Sequence, residues 1–90
     1  MRTTRHADRR IQQRRLSPLI LRWLLEFGAH TYDKHGAIIR HFDKRSRKAL
    51  SRAVGAKIVS QLGRHLNVYA VTCGAEVITA GYRTKRVRVS

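Results

Sequence analysis

Residues 67–82 read NVYAVTCGAEVITAGY, and this stretch decides the fold. Asn67 to Cys73 and Val77 to Tyr82 are β-branched and aromatic runs, and the Gly74-Ala75-Glu76 between them is a short glycine-containing loop, so the pair reads as a hairpin. Cys73 ends the first run and is expected to be a small buried hydrophobe rather than a nucleophile, because nothing around it marks it for catalysis. Upstream, residues 29–42 read as two more strands, broken by the turn-like Asp33-Lys34-His35-Gly36. In the second of these Ile38, Arg40 and Phe42 point one way, and Ala37, Ile39 and His41 the other.

Helices fill the remainder. Residues from about Thr4 to Arg15 contain no Gly or Pro, and their apolar contribution is thin, Ala7 and Ile11 being four apart. Ser17-Pro18 then gives a cap and a first-turn proline, with Leu16 placed to pack on Leu21 as a staple. The helix that follows runs to Phe27 and stops at Gly28; Leu19, Ile20, Trp23, Leu24 and Phe27 form its expected core stripe, with Trp23 and Phe27 in the core rather than stacked on bases. Asp43 is the expected cap of a third helix, which carries Lys44, Arg45, Lys48 and Arg52 on the side away from Leu50 and Val54. Gly55 ends or bends it. A further segment, Ala56 to about His65, is expected to turn Ile58, Val59 and Leu62 inward.

The class is therefore α+β: two N-terminal helices and a small antiparallel sheet of about four strands, with a helical insertion between its two hairpins. Ninety residues, 42% hydrophobic, make one domain (1–90) with a modest core. The basic termini, about 1–5 and 84–90, are expected to be flexible; the last of these alternates Arg86 and Arg88 with Val87 and Val89, as an extension of the final strand or a basic arm.

Twenty Lys and Arg stand against five Asp and Glu, a formal charge of +15. Fifteen of the twenty fall in three blocks: Arg2, Arg5, Arg9, Arg10, Arg14 and Arg15; Lys44, Arg45, Arg47, Lys48 and Arg52; and Arg83, Lys85, Arg86 and Arg88. Solubility alone is normally reached with mixed signs and a smaller net charge, so a polyanion, nucleic acid above all, is the expected partner. No apolar run is long enough to cross a bilayer, and the basic start leads into no secretory leader pattern, so the chain is expected to work in the cytoplasm without a membrane. One cysteine allows no internal disulfide, which suits a reducing compartment. His30, His35, His41, His65 and Cys73 lack the paired short spacings of a zinc site, paired carboxylates are absent, and no cofactor is expected.

His6, Arg10, Ile11, Arg14, Leu16 and Ser17 resemble the opening signature of a family of small bacterial domains, in which a His, an Arg with an apolar neighbour, a second Arg and then Gly-Ile-Ser occur at these spacings. That family leads through a helix into a small sheet ending in an Ile-Thr-Val-like strand, matched here by Val77-Ile78-Thr79-Ala80; Arg15 stands where the family usually has Gly. The family looks related to the RelE and BrnT toxins, compact α+β proteins of toxin-antitoxin pairs. The resemblance implies an RNA target ahead of DNA, an acidic antitoxin or the ribosome as partner, and metal-independent endoribonuclease activity. It points to Arg40 and His41 on the second strand and Tyr82, Arg83 and Lys85 at the end of the last as catalytic candidates, since the chemistry needs a base for the 2′-hydroxyl and cations for the phosphate. The physical reading beside it is simpler. His6, Arg10 and Arg14, four apart on a helix, border the core and either lay their stems over it or bind phosphate. Together with Lys44, Arg45, Lys48, Arg52, Arg86 and Arg88 they form the expected nucleic-acid-binding set. The alternative function is a non-catalytic binding module from a mobile element or phage, such as an anti-CRISPR-type inhibitor or a DNA-binding accessory protein.

Overall fold

The computed structural model describes residues 1–83, and in it one polar residue opens each of the three longest helices. Thr4 accepts the Ala7 N–H (3.1 Å) at the head of α1 (Arg5–Gln13), and Ser17 accepts that of Ile20 (3.4 Å) at the head of α2 (Pro18–Phe27). Asp43 and Ser46 bond reciprocally at 2.8 Å, a capping box that starts α3 (Lys44–Val54). A short α4 (Ala56–Leu62) and a 3-10 turn (Gly63–Leu66) follow. The strands are β1 (Arg2–Thr3), β2 (Ala29–Tyr32), β3 (Ile38–His41), β4 (Val68–Cys73) and β5 (Glu76–Tyr82).

The sheet has five strands in the order β1-β5-β4-β3-β2, which corrects the expected count of about four. The extra one is β1: Arg2 and Thr3 pair in parallel with Glu76 and Val77, so the sheet is mixed, while β2 to β5 form the expected antiparallel hairpins. Two residues have no period to read, and the strand is held by what it meets. The Thr4 N–H bonds the Val77 carbonyl (3.0 Å) and its hydroxyl the Ile78 carbonyl (3.3 Å). Ile78 is the extra residue of a bulge: Thr72 pairs with Val77 but Val71 with Thr79. The bulge lets Val77 and Ala80, three apart, both face the core.

One cluster binds all helices to the same side of the sheet. Ala7, Leu16, Ile20, Leu21, Leu24, Leu50 and Leu66 from the helical layer meet Phe42, Val68, Ala70, Val77 and Ala80, with Trp23 and Phe27 packed partly buried against them. The expected stripe on α2 is turned: Leu21 is buried and Leu19 is 52% exposed. Likewise Val59 and Leu62 pack against the cluster while Ile58 of the short α4 is 44% exposed. Cys73 also departs from expectation, being exposed at the hairpin end rather than buried.

Two turns explain how α1, α2 and the sheet fit together. Arg15, between the helices, is the only non-glycine residue at positive φ (52°) among the described residues. Gly28 has an ordinary φ of −63° but sits so close to α2 that a Cβ would collide with the Leu24 carbonyl oxygen and lie 2.8 Å from Leu24 Cδ1. The end of α2 and the start of β2 therefore require glycine for space rather than for backbone freedom.

Candidate nucleic-acid interface on the open sheet face

Strand alternation and register divide the sheet's side chains into two sets. Val68, Ala70, Thr72, Val77, Ala80 and Tyr82 face the helices; Tyr69, Val71, Thr79 and Gly81 face away, as do Ile39 and His41 on β3, which pair with Val71 and Tyr69. Among the described residues no helix contributes core side chains on this second face.

Across its middle runs a row of His41, Tyr69 and Gly81 on β3, β4 and β5. Gly81 is buried, and a Cβ there would lie 3.0 Å from both Cε1 and the hydroxyl of Tyr69 and 3.1 Å from Nη1 of Arg14. The outer edge of the tyrosine thus lies against the glycine, and Arg14, which caps the end of α1, has its guanidinium at the same spot. Arg83, just past β5, anchors its backbone N–H on Asn67 (2.7 Å) and donates from Nη1 to the Phe42 carbonyl (3.2 Å).

Two polar atoms here are sealed from solvent without a partner: Arg83 Nε and His41 Nδ1. His41 is 7% exposed. Burial, first, and the neighbouring Arg83 charge, second, hold its pKa below the ordinary 6.5, with Asp43 pulling the other way, so the imidazole is neutral at pH 7. The Asp43 carboxyl is itself held below its ordinary 3.8, chiefly by the Ser46 N–H and hydroxyl.

The candidates named from sequence separate on this geometry. His41 and Arg83 come together, while Arg14 lies at Gly81, at the other end of the row. Arg40 and Tyr82 do not: both point to the helix side. Arg40 donates to the Leu25 carbonyl at the end of α2 (2.9 Å) and to Thr72 Oγ1 (3.3 Å), and contacts His30 Nε2 (2.7 Å). Tyr82 donates to the Arg15 carbonyl (3.3 Å). Lys85, Arg86 and Arg88 lie outside the described residues, as does the question of an arm or an extended strand. Of the remaining cations, Lys44, Arg45, Lys48 and Arg52 are exposed on α3, His6 is exposed on α1, and Arg10 is half-buried beside Ala7 and Ile11.

Sequence reading did not single out Tyr69. Counting back from the two-residue hairpin loop places it opposite Ala80; only the bulge at Ile78 moves it onto Gly81. Elsewhere, a groove of about 440 Å³ between the end of α2, β2 and the start of α3 is lined by Phe27, Ala29, Ala49, Arg45, Asp43 and Ser46. Among the described residues no three His, Cys, Asp or Glu side chains converge as a metal site would require, and no helix is long and apolar enough to cross a membrane. Comparison of the chain with protein-family models, curated proteins and solved structures finds no match.

Proposed function

We propose that this protein binds RNA through its phosphates on the open face of the sheet. One observation carries the reading: Arg83 beside His41 and Arg14 beside Gly81 flank a row of side chains on a face that no helix covers among the described residues, in a chain of formal charge +15. A partner rich in negative oxygens suits guanidinium donors of this kind. The exposed cations of α3 add to the attraction at longer range. RNA rather than DNA, and an acidic antitoxin as the natural regulator, follow from the resemblance to RelE-type proteins.

A second reading, cleavage of the bound RNA, is favoured by His41 alone. An imidazole that is neutral at pH 7 and sits beside a guanidinium is the kind of group that can take the proton of a 2′-hydroxyl. Nδ1 is sealed, which leaves Nε2 as the working edge. The deprotonated oxygen would attack the adjacent phosphorus, the bond to the 5′-oxygen would break, and water would protonate the leaving oxygen while Arg83, the cation beside His41, holds the phosphate.

The test compares parent, Arg83→Ala and His41→Gln at matched soluble levels for RNA binding, RNA cleavage and growth arrest on overexpression. Binding by the parent should fall with salt by roughly 0.7 to 0.9 log units per phosphate contact for each tenfold rise. Arg83→Ala should weaken it. If the parent binds and cuts while His41→Gln binds without cutting, both readings stand; if all three bind and none cuts or slows growth, the protein is a binding module. Absence of binding at about 50 mM salt, where phosphate contacts are strongest, overturns the proposal.

A further inference from the structure

We infer that the open face selects an unpaired strand, with the ring of Tyr69 as the platform on which one base stacks. The inference rests on the reading of that face as the RNA surface, and adds the form of RNA it takes. Tyr69 lies at the middle of the row, its Cε1 and hydroxyl against the position of the missing Gly81 Cβ. The outer edge of the ring is therefore held against β5. The residue as a whole is only half-buried, on a face to which no helix contributes core side chains among the described residues.

Its surroundings are shaped for a flat ligand. Ile39, Val71 and Thr79 share the face and are half-buried, offering a low, largely uncharged floor. Cations stand at the borders of that floor and not under it: Arg14 beside the tyrosine hydroxyl, Arg83 beside His41. Adjacent strands are about 4.8 Å apart, so the row from His41 to Gly81 spans about 10 Å, the scale of one nucleotide. A base laid on Tyr69 would have its phosphate within reach of an arginine on either side.

A duplex cannot use this arrangement. Its bases are already stacked on each other and present only edges, whereas a single strand exposes base faces that aromatic residues on a sheet can take up. The paired glycine has a structural use as well, since an aromatic side chain over a strand glycine fills the space of its missing side chain. Stacking must therefore be separated from packing.

The experiment measures anisotropy of a labelled single-stranded RNA, the same strand annealed to its complement, and a strand of equal length carrying abasic sugar-phosphate throughout, at about 50 mM salt. The parent should bind the intact single strand about tenfold or more tighter than the abasic strand, and tighter than the duplex. Tyr69→Ala should lose about tenfold on the intact strand and nothing on the abasic one; Tyr69→Phe should behave as the parent. Where Tyr69→Ala fails to fold, the parent's preference for intact over abasic strand decides. Equal affinity of the parent for intact, abasic and duplex forms, or a folded Tyr69→Ala that binds the intact strand like the parent, overturns the stacking inference. Arg14→Ala and Arg83→Ala distinguish the two levels: loss of binding to all three forms keeps the open face as the RNA surface even when stacking fails, and no loss removes the surface itself.

Discussion

Arg40 and His41 are consecutive on β3 and stand on opposite faces of one sheet. Arg40 faces the helices, where it reaches Leu25 on α2, Thr72 on β4 and His30 on β2. Its charge is enclosed in a network that ties three elements together. His41 faces away, nearly buried, with Nδ1 unpartnered next to an arginine whose Nε is unpartnered too. Buried donors and acceptors without partners cost free energy, so the helix-side face, where the Arg40 donors are closed on partners, adds stability, while the other face carries two buried polar atoms that the fold leaves unsatisfied. The two tyrosines repeat the lesson: Tyr82 bonds the Arg15 carbonyl on the helix side, while Tyr69 lies against Gly81 on the open side.

The contrast is sharpest in the core. Leu24 is fully buried between the helical layer and the sheet, and Leu24→Ala should cost about 2–5 kcal/mol in chemical denaturation while the molecules still folded bind RNA like the parent. Arg40→Ala comes next: losing charge-assisted bonds to Leu25 and Thr72 should cost about 1–3 kcal/mol and leave RNA affinity unchanged. A large loss of RNA affinity with little loss of stability in Arg40→Ala would erase the distinction between the faces.

Acid should act on the open face through His41. Because its folded pKa lies below 6.5, the unfolded chain binds the proton more readily, and stability falls as pH drops from about 6.5 toward the folded value, then levels off. Above that window His41 contributes no slope. Asp43, also depressed, adds a separate fall below about 3.8. Urea midpoints measured from pH 7 to 4.5 should decline for the parent and decline less for His41→Gln; identical profiles would place the titrating group elsewhere. The smallest effect belongs to neither face. Arg15→Gly relieves a left-handed arginine at the helix junction and should raise stability by about 0.5–1 kcal/mol, the backbone strain relieved less the added freedom of glycine in the unfolded chain.

Most elements were legible because their signals are local. Thr4 apart, the caps at Ser17 and Asp43, the stop at Gly28, the Asp33–Gly36 turn and the Gly74 hairpin each announce themselves within a few residues. The alternation on β3 even separated Arg40 from His41, and what it lacked was which side the helices would cover. The site was less legible because it is built by register. Tyr69 meets Gly81 only through the bulge at Ile78, that bulge is where the Thr4 hydroxyl and N–H dock, and β1 is too short to carry a pattern. Arg14 was named for its charge, but its place at Gly81 comes from how the C-terminal end of α1 lies against β5, which spacing does not show. Leu19, Ile58 and Cys73 were misplaced for a related reason: apolar spacing assigns a face to a side chain, not the cover that face receives.

The most direct test of the open face as the RNA surface is an amide chemical-shift map of the labelled protein titrated with single-stranded RNA. Shifts concentrated at Ile39, His41, Tyr69, Val71, Thr79, Gly81 and Arg83, with Leu24, Leu50 and the helix-facing Ala70 and Ala80 unmoved, are the result expected from this geometry. Shifts confined to the cationic side of α3, around Lys44, Arg45, Lys48 and Arg52, with the open face silent, would contradict it.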